Sequence, residues 1–228
     1  LFSQSLRHDF DHGTYLGLVG DVAAARGDAA AALASYEKAK IYLYVDAPKA
    51  TPLLWEARLR IDTGTVREGL GRLDEALAIL DASLEPDDAR RIDPLIAIGR
   101  AQRRAKKIAA ARATLERAVA IAEASYGFSA RTSLLQHELA ALEAEAGNDA
   151  RALQLYDDAH VALGSAFELH HPRVVATLLA RADLAYGLGQ REYAGRLYGS
   201  IADELMQQRG PKDASTMRAR ARRGPDDG

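Results

Sequence analysis

The sequence predicts an all-α solenoid of about five antiparallel helix pairs, and three observations predict it. The first is a recurrence: Gly147-Asn148-Asp149-Ala150-Arg151-Ala152 leads to Tyr156, and Gly189-Gln190-Arg191-Glu192-Tyr193-Ala194 leads to Tyr198 in the same frame. A motif that returns after about forty residues marks stacked supersecondary units rather than one closed core. The second is composition, because alanine and leucine dominate while valine, isoleucine, threonine and proline are sparse, which favours helices and leaves little material for strands. The third is a small residue set to anchor each second helix, at Ala32, Ala76, Ala111, Ala152 and Ala194.

Taken in order, residues 1–12 mix apolar side chains with His8, Asp9, Asp11 and His12. This pattern reads as a solvated helix start rather than a metal site. The first repeat spans about 13–45, with Leu16, Val19, Gly20 and Ala23 at helical spacing, Gly27-Asp28 as stop and cap, and Tyr36 and Ala39 inward on the second helix. Asp46, Pro48 and Pro52 break the pattern. The second repeat spans about 50–85 and takes Gly71 and Ala76 as its second-helix signature. Its first helix is then interrupted by Thr63-Gly64-Thr65, with Arg60 and Arg67 at positions meant to be apolar.

Glu85-Pro86-Asp87-Asp88 is a turn and cap before the third repeat, about 90–126, which has Leu95, Ile98 and Gly99, then Ala111, Leu115 and Ala118. The fourth, about 129–166, has Leu135, Leu139 and Ala140, then Ala152, Tyr156 and Ala159. The fifth, about 172–209, starts at Pro172 and closes with Ala194, Tyr198 and Ile201. The solenoid is therefore expected over 1–210. In 211–228, Asp213 caps a short helix that is a solvated cap or a fragment of a further repeat, and a disordered tail from Gly224 follows.

A formal charge of −2 gives no global electrostatic case for nucleic acid or an anionic membrane. The absence of cysteine excludes disulfides and thiol chemistry and fits a reducing cytoplasm. No apolar run approaches the ~18 residues of a spanning helix, and a first residue of Leu1 reads as a piece of something larger. Phosphate-binding loops, nucleophile elbows and His-Glu-x-x-His are all missing. No enzyme activity, cofactor or metal is expected.

Glycine, an alanine five residues on, then an aromatic and another small residue at helical spacing resemble the tetratricopeptide repeat family. Intervals of roughly 41 and 42 residues, with Leu163-Gly164 and then His171-Pro172, resemble its long kinesin-light-chain-type subclass. The resemblance covers about residues 13–210. It implies a right-handed superhelix whose first helices line a concave groove, and a protein or peptide partner in that groove. Such repeats are common in multidomain bacterial signalling proteins, and with the Ala/Arg-rich composition this suggests a module of a larger bacterial signalling or assembly protein. Many peptide-binding relatives carry asparagine on the groove face, whereas the corresponding positions here are Leu18, Asp62, Ala97, Glu138 and Ala180. Recognition of a particular surface or helix is therefore expected over sequence-independent peptide capture.

Helical projection sets Arg100, Arg103 and Arg104 on or beside the concave face, followed along the groove by His137 and Glu138. The planar fork of arginine suits carboxylates, so these five residues are the candidate partner-binding set for an acidic segment. The competing reading is a solvated helix end that complements the dipole. His170-His171-Pro172 is read as a helix start, Tyr36, Tyr156 and Tyr198 as packing residues, and Trp55 as a core plug or an exposed anchor. A sensor that closes on a small ligand is the alternative function. Self-association through a terminal repeat is a further expectation, since a solenoid end exposes apolar surface.

Overall fold

A computed structural model describes residues 2–43, 47–127, 129–168 and 171–223, so the expectations for Asp46, for His170 and for the tail from Gly224 lie outside the described residues. The described residues form eleven α-helices and no strand. They are α1 (Phe2–Ala25), α2 (Ala29–Tyr42), α3 (Thr51–Asp62), α4 (Val66–Ser83), α5 (Ile92–Arg104), α6 (Ile108–Tyr126), α7 (Ala130–Glu145), α8 (Asp149–Ala166), α9 (Pro172–Gly187), α10 (Arg191–Arg209) and α11 (Ala214–Arg222). Short 3-10 turns at Ala47–Ala50 and Ala89–Arg91 lead into α3 and α5. The chain divides into two compact units, Leu1–Ile121 and Ala122–Gly228.

Each hairpin turns on one residue in the left-handed region: Gly27, Gly64, Lys106, Gly147 and Gly189. The next backbone N–H then reaches back to the carbonyl five residues earlier, Asp28 to Ala23 at 3.0 Å, Lys107 to Gln102 at 2.9 Å, Asn148 to Glu143 at 2.8 Å and Gln190 to Ala185 at 3.0 Å. This closure satisfies carbonyls that the helix end leaves open. In the second turn the Thr65 hydroxyl makes the bond instead, donating to the Arg60 carbonyl at 3.0 Å.

These turns give a common frame, and the frame corrects the second repeat. Thr63-Gly64-Thr65 does not interrupt a first helix; it is the hairpin turn itself. The small residue five positions after the turn is Ala32, Ala111, Ala152 or Ala194 elsewhere, but Gly69 here, where an added Cβ would meet the Ala57 carbonyl oxygen at 2.9 Å. Ala76 is fully buried, yet it stands at the position of Ala39, one heptad further along. A slip of seven residues is almost two whole helical turns, so the periodicity looked the same from either register. Arg60 and Arg67 then stop being anomalies, because neither occupies a core position. The first helix also begins earlier than Gly13, since α1 runs unbroken from Phe2.

Within the first unit, small residues on the first helices admit large ones from the second helices. An added Cβ at Gly20 would fall 2.2 Å from the Tyr36 ring, and one at Gly99 would fall 2.7 Å from Leu115. Leu53, Leu54, Ala57 and Ile61 of α3, Leu73, Ala76 and Leu80 of α4, and Ile98 and Ala101 of α5 form a continuous core. Two charged side chains are buried with it. Glu56 of α3 accepts from Lys40 of α2 at 3.2 Å, from Arg60 of α3 at 2.8 Å and from Arg72 of α4 at 3.1 Å. Burial pushes the Glu56 carboxyl up, but these bonds outweigh it and hold the group below the usual carboxylate range. Arg91 donates to the Leu80 and Leu84 carbonyls and to Asp81, closing the C-terminus of α4 from the side.

In the second unit, α9, α10 and α11 share a core of Leu178, Ala182, Ala194, Tyr198, Ile201, Leu205 and Ala219. Ser129 caps α7, and His171 caps α9 ahead of Pro172, its Nδ1 accepting from the Arg173 N–H at 3.3 Å. Asp213 caps α11 through the N–H groups of Ser215 and Thr216. Thr216 and Ala219 of α11 are fully buried, so this helix is packed rather than solvated.

Candidate functional site

The frame places Leu18, Trp55, Ala97, Glu138 and Ala180 nine residues before their turns. Trp55 replaces Asp62 at the position that the resemblance assigns to the groove. Six residues before the turns stand Asp21, Arg58, Arg100 and Asp183 on α1, α3, α5 and α9.

In the first unit these positions on α3 and α5 line one cavity of about 340 Å3. Its apolar wall is Leu54, Trp55, Pro94, Ala97 and Ala101, and its polar groups are Thr51, Arg58, Asp93, Arg100 and Arg104. Trp55 serves both expectations at once. Its ring lies so close over Gly17 of α1 that an added Cβ would sit 2.2 Å away, and it still forms part of the cavity wall. Arg58 is fixed by Asp21, with Nη2 2.5 Å from Oδ1, and Arg104 by Asp62 at 3.3 Å. The cavity is therefore amphiphilic: three guanidinium groups, two of them paired with Asp21 and Asp62, and the Asp93 carboxylate lie beside an indole. That combination suits a ligand carrying negative charge next to an apolar group.

Of the expected set, Arg100 and Arg104 line this cavity, and Arg103 is half-buried and does not. His137 and Glu138 belong to α7 in the second unit. His137 packs there: its Nδ1 is 3.0 Å from the Thr177 hydroxyl, and its ring meets Tyr156 edge-on at 5.4 Å. Tyr36 and Tyr198 are buried as expected, but each also anchors a polar network. The Tyr36 hydroxyl donates to Asp21 at 2.8 Å, where Arg58 also binds. The Tyr198 hydroxyl donates to Asp183 at 2.5 Å, where Arg222 binds at 3.2 Å and Arg218 more closely. Burial, reinforced by the adjacent aspartate, pushes both phenols up to about 12. One signal in the sequence pointed to them, an aspartate fifteen residues before each tyrosine.

Two further histidines pack against aromatic rings. His12 packs edge-on against Tyr42 at 4.4 Å, and His171 stacks on Phe167 at 4.1 Å. Among the described residues, no group of three His, Asp or Glu side chains is placed to hold a metal ion. Among the same residues, no helix is long and apolar enough to cross a membrane.

The architecture is an all-α solenoid built from TPR-type repeats. It is similar to the crystal structure of a putative kinesin light chain from Podosopora anserina with nearly identical TPR-like repeats. The TM-score is 0.72 at 19% identity, covering 86% of this chain and 96% of that one. It is also similar to BtubC (BKLC) from P. vanneervenii, with TM-score 0.68, 16% identity and coverage of 92% and 82%, and to MamA, with TM-score 0.56, 16% identity and coverage of 90% and 97%. No family model and no curated protein matches the sequence.

Proposed function

We propose that the chain is a non-catalytic protein-interaction module, a scaffold part of a larger signalling or assembly protein in the cytoplasm. Its first-helix face in α3 and α5 takes an acidic segment of a partner. The observation that carries this reading is the convergence of Arg58, Arg100 and Arg104 beside Trp55 on one cavity. Repeats of this kind expose binding area rather than a reaction pocket, and the solved structures of like fold are repeat proteins.

The test is charge reversal at the cavity's exposed arginines. Arg100→Glu with Arg104→Glu is expected to weaken capture of the partner by the parent protein at least about tenfold. Raised salt is expected to weaken the unaltered protein in the same direction. Capture unchanged by the double reversal overturns the acidic-segment reading. A second reading, a sensor for a small amphiphilic anion, is favoured by the cavity's volume of about 340 Å3, which falls in the range of small-molecule sites. It predicts saturable binding of aromatic carboxylates by calorimetry that the same double variant abolishes.

A further inference from the structure

The residues twelve, eight and five positions before the turn form the face of a first helix that receives the preceding hairpin. In α3 they are Pro52, Glu56 and Leu59; Glu56 pairs with Lys40 of α2 and Leu59 packs with Tyr36. In α5 the last two are Ile98 and Ala101, buried against Leu73, Ala76 and Leu80 of α4. In α9, Thr177 meets His137 of α7, and Arg181 pairs with Asp157 of α8 at 2.5 Å. On α1 the same positions are Tyr15, Val19 and Val22, and they are 60%, 38% and 51% exposed, with Leu18 beside them at 60%. They border a depression of about 440 Å3 between α1 and the start of α2, edged by Arg26.

In the second unit the last hairpin, α9/α10, is covered. Thr216, Arg218 and Ala219 of α11 repeat the spacing of Glu56, Arg58 and Leu59 on α3. They are also engaged in the same way, with Thr216 and Ala219 fully buried and Arg218 on Asp183 as Arg58 is on Asp21. The C-terminal hairpin therefore has a first-helix stand-in laid over it.

We infer that the α1 face pairs with α1 of a second copy, antiparallel, about a two-fold axis between Leu18 and Val19. The stripe is self-complementary about that point. Its order is Asp11, Tyr15, Leu18, Val19, Val22, Arg26, so antiparallel pairing sets Leu18 against the partner's Val19, Tyr15 against the partner's Val22, and Asp11 beside the partner's Arg26. Asp11 and Arg26 are both exposed, and the rotation makes the ion pair twice. A two-fold contact of this kind closes on itself and stops at a dimer. One helix face per copy lies at the small end of stable interfaces, so the dimer exchanges with monomer.

Sedimentation velocity across a concentration series tests this on the full chain. The unaltered protein is expected to move from monomer to dimer and no further, and Val19→Asp to remain monomeric with its helical circular dichroism intact. Asp11→Arg and Arg26→Asp are each expected to weaken the dimer roughly tenfold by placing like charges together. The double swap is expected to restore it. A monomer at every concentration overturns the inference, as do oligomers beyond dimer, a dimer indifferent to Val19→Asp, or a double swap no better than either single change. Binding of the unaltered protein to another helical hairpin that Val19→Asp abolishes, with no self-association, also overturns it and assigns the face to a different partner.

Discussion

The hairpins α1/α2 and α5/α6 lie in the same frame, yet their key positions are filled with opposite chemistry. Six residues before the turn, α1 has Asp21 and α5 has Arg100; nine residues after it, α2 has Tyr36 and α6 has Leu115. In the first hairpin the aspartate draws in a tyrosine hydroxyl and Arg58 of the next hairpin. In the third, the leucine has no hydroxyl to donate, and the guanidinium six residues before the turn borders the cavity. The hairpin α9/α10 repeats the first arrangement through Asp183, Tyr198 and the arginines of α11. The repeat thus supplies equivalent places, and whether a place holds neighbours together or faces outward is decided by two side chains.

Removing the aspartates breaks this contrast most severely. Asp21→Ala leaves a buried hydroxyl and a half-exposed guanidinium without their acceptor, and is expected to cost about 2–3 kcal/mol by urea unfolding. Asp183→Ala should cost less in global unfolding but release α11, because a helix of nine residues does not persist without packing. Amide exchange of residues 214–222 is expected to become fast while α9 stays protected. Equal protection in both variants would mean that the two networks are not the same device.

Alkaline pH sharpens the comparison at smaller amplitude. Both phenols titrate at about 12 in the folded chain and near 10 when unfolded. Their contribution is fully present below pH ~10 and is lost as pH rises towards 12, because the unfolded state releases these protons first. Tyr36→Phe with Tyr198→Phe is expected to flatten that fall; a fall of unchanged steepness assigns it to other groups. The smallest effect belongs to the turn of the central hairpin, where Lys106 holds φ 59 while its counterparts are glycines. Lys106→Gly is expected to raise stability by about 0.5–1 kcal/mol in thermal unfolding, since glycine enters that region without a Cβ penalty.

The helices and their small-to-large packing were legible because they rest on local periodicity. Ala32, Ala111, Ala152 and Ala194, Tyr36, Tyr156 and Tyr198 all stand in the core. The second repeat was misregistered because Gly71 and Ala76 sit one heptad from Gly64 and Gly69, and a heptad hardly changes a helix face. The lining of the cavity was half legible for the same reason: Arg100 and Arg104 could be set on one face from helical spacing alone, whereas Trp55 and Arg58 required the correct frame. Asp21 and Arg58 are thirty-seven residues apart in sequence, and no pattern within one helix shows such a pair.

Glu56 has a mechanical consequence. Its carboxylate gathers one cation from each of α2, α3 and α4, so swinging the first hairpin away from the second strips Lys40 from a charge that water cannot reach. Bending at that joint meets an electrostatic latch between α2 and α3.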